Sequence, residues 1–248
     1  MSAQIRAELL KQRSTRTVLA LFASMLGLVL FAVLLHGFGL ATENLGSSSD
    51  QLMVFGRGEF LGALFAALLG AMTFTGEIRH GTIRPTFLVS PRRARVIVAK
   101  VCVSTLTGAG FGLAASALAA GIGTAALRMR GIDVQLDAGD YTLLLVGGTA
   151  ASALWAAIGV GLGALVRNQV PTLIGVCAWL LFIEGLLVGD VAGIGDVGRF
   201  APGALGMAAS GQDPEALVAP AVGLVLLGLY AAASALAGSL ATTRRDVV

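Results

Sequence analysis

Six apolar stretches, each of a length suited to crossing a lipid bilayer, recur along the 248-residue chain. A membrane-spanning helix needs roughly 17–25 predominantly apolar residues. The stretches cover residues 18–38, 60–75, 98–127, 141–166, 172–188 and 216–241. The second and fifth are short, whereas the third and fourth are long enough to tilt or to extend into the headgroups. Almost nothing remains for a soluble domain, so we predict an all-α fold, a single polytopic membrane domain over residues 1–248.

The composition supports this class. Hydrophobic residues make up 56% of the chain and charged residues only 12%, while soluble domains carry about 25% charged residues. The mean hydropathy is +0.86. The first stretch is longer than a signal-peptide core of roughly 7–15 residues and no A-x-A cleavage site follows it, so we expect it to be retained.

The distribution of basic residues predicts the orientation. If the termini share one side, thirteen of the seventeen basic residues lie on that side and four on the other. The thirteen are Arg6, Lys11, Arg13, Arg16, Arg79, Arg84, Arg92, Arg93, Arg95, Lys100, Arg167, Arg244 and Arg245. Lys and Arg are retained on the cytoplasmic side of short loops, so we predict a cell-membrane protein with both termini cytoplasmic. The net charge of +3 then needs no nucleic-acid partner.

Two segments outside the spans have distinctive patterns. Residues 1–17 place apolar residues four apart among basic ones, which suits a helix on the inner membrane surface; a solvated tail is the alternative. Residues 189–215 are moderately apolar but broken by Gly and Pro. We expect short helices there that dip into the outer interface without spanning, as a half-inserted hairpin before the last span.

Small residues recur four apart within the third and fourth stretches, at Gly108 and Gly112 and at Gly159 and Gly163. This spacing lets membrane helices approach closely. It predicts tight packing, either within the bundle or between subunits.

A search for catalytic motifs finds little. A phosphate-binding loop needs a lysine that follows a glycine, and neither Lys11 nor Lys100 does. The two histidines, His36 and His80, fall on opposite sides of the predicted membrane without clustered Cys or Asp, so no metal site is expected. We therefore predict that the chain is not an enzyme and binds no cofactor itself.

Paired intramembrane carboxylates are not expected, because Glu184 is the only acid well inside a predicted span. An ionisable residue there costs roughly 2.5–3.5 kcal/mol at mid-helix on insertion scales, which makes it a functional candidate. Glu184 lies near the predicted outer boundary, however, where the alternative is that it reaches water.

The segment between the second and third spans is the most polar part of the chain. Residues 76–100 read GEIRHGTIRPTFLVSPRRARVIVAK. Thr82 is suited to cap a short helix, and Pro85 fits its first turn. We place Ile83, Phe87 and Leu88 on one face, as a docking surface for another protein.

Ser90 and Pro91 are suited to end this helix and to start the next one. Arg92, Arg93 and Arg95 then open the new helix, where cations oppose the helix dipole. They are expected to meet lipid phosphates, to hold the topology or to face an acidic partner.

With these residues in view, the chain resembles the permease subunit of ABC-2-type ABC transporters. That family carries a loop similar to E-x3-G-T-x3-T-x-L-x2-P, followed by arginines and a lysine. Here the pattern is carried by Glu77, Gly81, Thr82, Thr86, Leu88, Pro91, Arg93, Arg95 and Lys100. Residues 200–208, FAPGALGMA, also resemble the Pro-containing stretch before the family's sixth span. The run from Arg92 to Arg95 is more basic than many versions.

The resemblance implies a mechanism. Two permease subunits, identical or related, would associate with two cytoplasmic ATPase subunits that bind ATP and Mg²⁺. Residues 82–90, within the 76–97 loop, would form the coupling helix and move when the ATPases close. The implied coupling residues are Glu77, Arg79, Gly81, Thr82, Ile83, Thr86, Phe87, Pro91 and Arg93. Glu184 and Pro202 are candidates for the substrate path or outer gate, and the implied function is export of a hydrophobic or amphipathic substrate.

Three alternatives remain open at this stage. An ion-coupled carrier or channel needs buried charges along a pathway or repeats with broken helices. A membrane transferase or protease needs clustered acids, His or an activated Ser. A non-transporting anchor or assembly subunit needs none of these features.

Overall fold

The computed structural model describes residues 2–39, 45–89, 93–188, 195–213 and 217–244. Within these ranges the chain is helical and has no strand. The helices are α1 (Ser2–Ser14), α2 (Arg16–Gly39), α3 (Ser48–Phe55), α4 (Arg57–Arg79), α5 (Ile83–Val89), α6 (Arg93–Met129), α7 (Ala138–Val166), α8 (Gln169–Ala178), α9 (Glu184–Val188), α10 (Pro202–Ala209) and α11 (Pro220–Arg244). A π-helical turn, Trp179–Ile183, joins α8 to α9, and a 3-10 turn, Gly195–Phe200, precedes α10.

Six helical segments are long and apolar enough to cross a membrane, so the predicted all-α fold with six spans is confirmed. The second differs most from its predicted bounds of 60–75, because α3 and α4 together cover Ser48–Arg79. The predicted bounds stop short of Glu59 and Glu77, whose carboxylates accept hydrogen bonds from Gln212 and Lys100 within the helix bundle. The sixth begins at Pro220 rather than at residue 216.

Three helices form the centre of the bundle. Helices α4, α6 and α7 pack against one another and are half buried or more, whereas α2, α8–α9 and α11 are mostly exposed. Exposed residues on the outer helices include Phe31, Phe182 and Leu229. An apolar exposed surface of this kind suits contact with lipid.

We call the end of the bundle that carries α1, α5 and the end of α11 the basic end, and the end that carries α3 and α10 the opposite end. Arg93 and Arg167, at the basic end, donate to the carbonyl oxygens of Thr242 and Ala241, each at 2.9 Å. These contacts join α6 and α7 to the last turns of α11. The start of α6, the end of α7 and the end of α11 therefore lie at the same end.

The predicted close packing of small residues occurs within the subunit. A Cβ added at Gly159 would lie 2.1 Å from the carbonyl oxygen of Ala67, and one added at Gly70 would lie 2.0 Å from that of Ala156. Because these neighbours are backbone atoms, they cannot rotate away. Helices α4 and α7 therefore cross at a point where only glycine fits on either side.

Replacing Gly159 with alanine is expected to force α4 and α7 apart and to lower the free energy of unfolding by about 1–3 kcal/mol. The matched control is Gly110→Ala, since Gly110 is exposed and has nothing within 4 Å of an added Cβ. Thermal unfolding of the purified variants compares the two. Equal stability would show that this crossing is not tightly packed.

Candidate functional site

A fully buried lysine forms the centre of a polar site at the basic end. Lys100 of α6 has no exposed side-chain surface. Its Nζ atom donates to Glu8 Oε2 at 2.9 Å, to Glu77 Oε1 at 2.8 Å and to the Thr73 carbonyl oxygen at 3.2 Å. One ammonium group thus joins α1, α4 and α6. A buried charge is costly unless it is paired and hydrogen-bonded, and all three contacts meet that need.

A second lysine completes this site. Lys11 Nζ lies 2.8 Å from Glu8 Oε1 and 2.6 Å from Glu77 Oε1. Burial lowers the pKa of Lys11, but hydrogen bonds and charge attraction from Glu77 and Glu8 outweigh it and raise the pKa above the ordinary value. Lys11 is therefore charged at neutral pH. We call Glu8, Lys11, Glu77 and Lys100 the lysine cluster; its two ammonium groups balance its two carboxylates.

Neutral polar groups extend the cluster deeper into the bundle. The side-chain amide of Gln12 donates to Ser104 Oγ at 3.2 Å and to Thr73 Oγ1 at 3.4 Å. Thr107 donates its hydroxyl to Gln12 Oε1 at 2.5 Å. Gln12 is thereby bound to both α4 and α6, and α1 is fixed to the bundle along two of its turns.

The chain leaves α4 through a glycine turn that orients α5. Gly81 has a φ of +69°, which favours glycine. The amides of Gly81 and Thr82 donate to the carbonyl oxygens of Ile78, at 3.1 Å, and Glu77, at 2.8 Å. This is the Schellman pattern that ends helices. It turns the chain so that the Thr86 hydroxyl of α5, which donates to the Thr82 carbonyl oxygen at 2.9 Å, also lies 3.4 Å from Glu77 Oε2.

One face of helix α5 packs against the rest of the protein, and the other face is exposed to solvent. Ile83 is 3% exposed and packs with Phe74, Ile97 and Ala164, and the half-buried Phe87 joins them. Leu88 is 84% exposed. The prediction that Ile83, Phe87 and Leu88 share one face is therefore wrong. Residues four apart lie together on a helix, whereas the next residue lies about 100° farther round.

Two predicted arginines also make contacts at the basic end. Arg79 donates to Gln169 Oε1 at 3.2 Å, which links the end of α4 to the start of α8. Arg93, which contacts the carbonyl of Thr242, also lies over the Phe87 ring at 5.6 Å. Pro91, another predicted site residue, lies outside the described residues.

A second polar site lies at the opposite end and overturns the expectation that buried carboxylates are not paired. Glu59 of α4 is 2% exposed and Glu184 of α9 is 5% exposed. A Cβ added at Gly206 would lie 2.6 Å from Glu59 Oε1, and one at Gly203 would lie 2.5 Å from Glu184 Oε2. Both carboxyl groups therefore approach one face of α10, and we call them the carboxyl pair. The predicted second span begins at residue 60 and therefore leaves Glu59 outside it.

Each carboxyl group of the pair has hydrogen-bond donors. Glu184 Oε1 accepts from the backbone amides of Gly203 and of Ala204, the latter at 3.0 Å. Gln212 donates to Glu59 Oε2 at 3.4 Å. Pro202 occupies the first position of α10 and has no amide hydrogen to satisfy. Glu184 therefore serves as the N-terminal cap of a helix that follows it in the chain.

Replacing Glu184 with alanine is expected to loosen the start of α10. Loss of a cap costs about 1 kcal/mol, so hydrogen exchange of the α10 amides should become about fivefold faster. The control is Glu184→Gln, whose amide oxygen still accepts. Hydrogen-exchange mass spectrometry on the full-length protein measures both, and unchanged exchange in the alanine variant would show that the cap does not hold α10.

Six candidate spans with two buried polar sites define a multi-pass membrane protein. The sequence pattern of the ABC-2 family of transporter proteins matches residues 4–183, more than half of the chain, and the chain therefore belongs to that family as an ABC-2-type permease. The matched range contains the whole lysine cluster, whereas Glu184, α10 and α11 follow it. A search of curated proteins finds no match.

The structure brings together a different set of residues from the one that the sequence predicted. Glu77, Thr86 and Lys100 meet at one site, but their partners Glu8, Lys11 and Gln12 come from α1, some sixty or more residues earlier. One sequence signal for them exists: Glu8 and Lys11 stand one helical turn apart beside a span. Nothing local indicates that they contact Glu77.

Proposed function

We propose that this chain is the permease subunit of an ABC transporter, that a separate cytoplasmic ATPase drives it, and that α5 is its coupling helix. The observation that supports this most directly is the position of α5 between α4 and α6, where Ile83 is buried against both and Thr86 Oγ1 lies 3.4 Å from Glu77 Oε2 of the lysine cluster. A helix attached to two central spans can pass a displacement to both of them.

The two faces of α5 suit this role. Ile83 and Phe87 anchor it to the ends of α4, α6 and α7. Arg84, Pro85 and Leu88 are exposed on the other side. A partner protein would bind the exposed side of α5. Because the inner side of α5 is packed against the spans, a displacement of the partner would move the spans with it.

Helix α4 provides a route to the opposite end. Glu77 of the lysine cluster and Glu59 of the carboxyl pair stand on this one helix, 18 residues or roughly 27 Å apart. A movement of α5 would shift Glu77, tilt α4 and displace Glu59 against α10. In this proposal Glu184 and Pro202 belong to an outer gate, because both lie where α10 is capped.

Sidedness and substrate follow from the same proposal. The basic end would be cytoplasmic, with α1 along the inner membrane surface. A second permease subunit, identical or related, would complete the translocation path. Apolar spans with few buried charges favour export of a hydrophobic or amphipathic substrate.

Co-purification tests the assembly. The full-length chain should carry an ATPase subunit through purification in mild detergent, and hydrolysis by that subunit should change when the permease is present. Persistent failure to recruit any ATPase from its native membrane, with the permease folded, would contradict the proposal.

The carboxyl pair favours one alternative, an ion-coupled carrier, because buried carboxylates in spans serve as proton sites in such proteins. That alternative predicts uptake or efflux by the chain alone under a proton gradient. An ATP-driven permease gives none under the same conditions.

A further inference from the structure

A partly open cleft of about 680 Å³ lies beside the lysine cluster. Its walls come from α1, the first turns of α2, the second half of α4 and the start of α8. The volume falls within the roughly 300–1,000 Å³ of sites that hold small organic molecules. Three residues of the lysine cluster, Glu8, Lys11 and Glu77, form only part of its lining.

The cleft is polar at one end and apolar at the other. Val18 and Leu21 of α2 face Leu69 and Met72 of α4 in the part that lies within the spans. Arg79 stands ten residues beyond Leu69 on α4, or roughly 15 Å nearer the basic end. This is the order of groups in a phospholipid, with acyl chains inside the membrane and a headgroup at its surface.

The charges at the polar end favour an anion. Glu8 and Glu77 are each neutralised by contacts with both Lys11 and Lys100. Arg79, by contrast, bonds only to the neutral amide of Gln169 among the groups of the described chain. Arginine is well suited to bind a phosphate through paired hydrogen bonds.

We propose that this cleft binds one anionic phospholipid from the leaflet at the basic end. Its phosphate accepts hydrogen bonds from Arg79, and an acyl chain lies along Val18, Leu21, Leu69 and Met72. The bound lipid contacts α1, α2, α4 and α8 at once and therefore stabilises the packing of α1 against the bundle. Leu88, the exposed residue of α5, does not line this cleft.

Photo-crosslinking tests the site in the full-length chain. The protein is placed in phosphatidylcholine nanodiscs that contain a minor fraction of phosphatidylglycerol with a diazirine on one acyl chain. Labelled peptides should contain Leu21 or Met72. Arg79→Gln should reduce this labelling about tenfold, which is the effect of losing one hydrogen bond to a charged group.

Three comparisons make the result decisive. Arg95→Gln removes an exposed arginine at the same end that does not line the cleft, and it should leave the labelling unchanged. Met72→Trp fills the apolar part and should reduce labelling without a change in charge. A diazirine phosphatidylcholine should label these peptides weakly. Equal labelling by both lipids, or equal loss in the Arg79 and Arg95 variants, would overturn the proposal.

Discussion

Replacing Lys100 with methionine is expected to lower the free energy of unfolding by about 3–5 kcal/mol, the cost of removing one partner of a buried ion pair. The change leaves Glu8 and Glu77 buried beside each other, and Lys11 is half exposed and remains as their only cluster cation. Chemical unfolding of the purified protein, followed by tryptophan fluorescence, gives the measurement.

A second change should recover much of this loss. Adding Glu8→Gln to Lys100→Met removes one of the two facing carboxylates while the side-chain amide keeps its hydrogen-bonding capacity. Arg95→Met is the control for removal of a cation at an exposed position of the same helix, and it should cost less than about 0.5 kcal/mol. Wild-type stability of the Lys100 variant would show that the cluster does not join α1, α4 and α6.

Replacing Leu88 with aspartate is expected to weaken ATPase binding by about 30-fold or more. A central apolar contact in a protein interface contributes about 2 kcal/mol or more, and Leu88 is the most exposed large apolar side chain of α5. Because the Leu88 side chain does not pack against the rest of the permease, the free energy of unfolding of the permease should not change. Titration of the purified ATPase onto immobilised permease measures the affinity.

The matched control for Leu88 lies at the opposite end. Met129, at the end of α6, is 79% exposed, and Met129→Asp introduces the same charge far from α5. This control should bind the ATPase as the wild type does. Full ATPase affinity in the Leu88 variant would contradict the assignment of α5 as the docking helix.

The spans were predictable because the length and hydropathy of a membrane helix are visible in the sequence. All six were found, and the largest error lies at the ends of the second span, where charged residues interrupt the apolar pattern. Helix α4 shows the limit best. Its first and last turns contain Arg57, Glu59, Glu77 and Arg79, and hydropathy excluded those turns, although buried polar partners allow the helix to include them.

The two polar sites were less predictable for a physical reason. Glu77 and Lys100 belong to one loop motif, and their proximity follows from the turn between two adjacent spans. Glu8 and Gln12 reach them through the packing of α1, and Glu184 reaches α10 through a cap made across the chain. Such contacts depend on tertiary packing, which residue spacing in one sequence does not contain.

The most direct test of the whole account is transport by the reconstituted protein. Permease in sealed vesicles, with the ATPase and ATP present, should move a fluorescent amphipathic substrate against its gradient, and transport should stop when the ATPase is omitted or when Leu88→Asp is introduced. Uphill transport of the same size by the permease alone, with no ATPase present, would contradict the account.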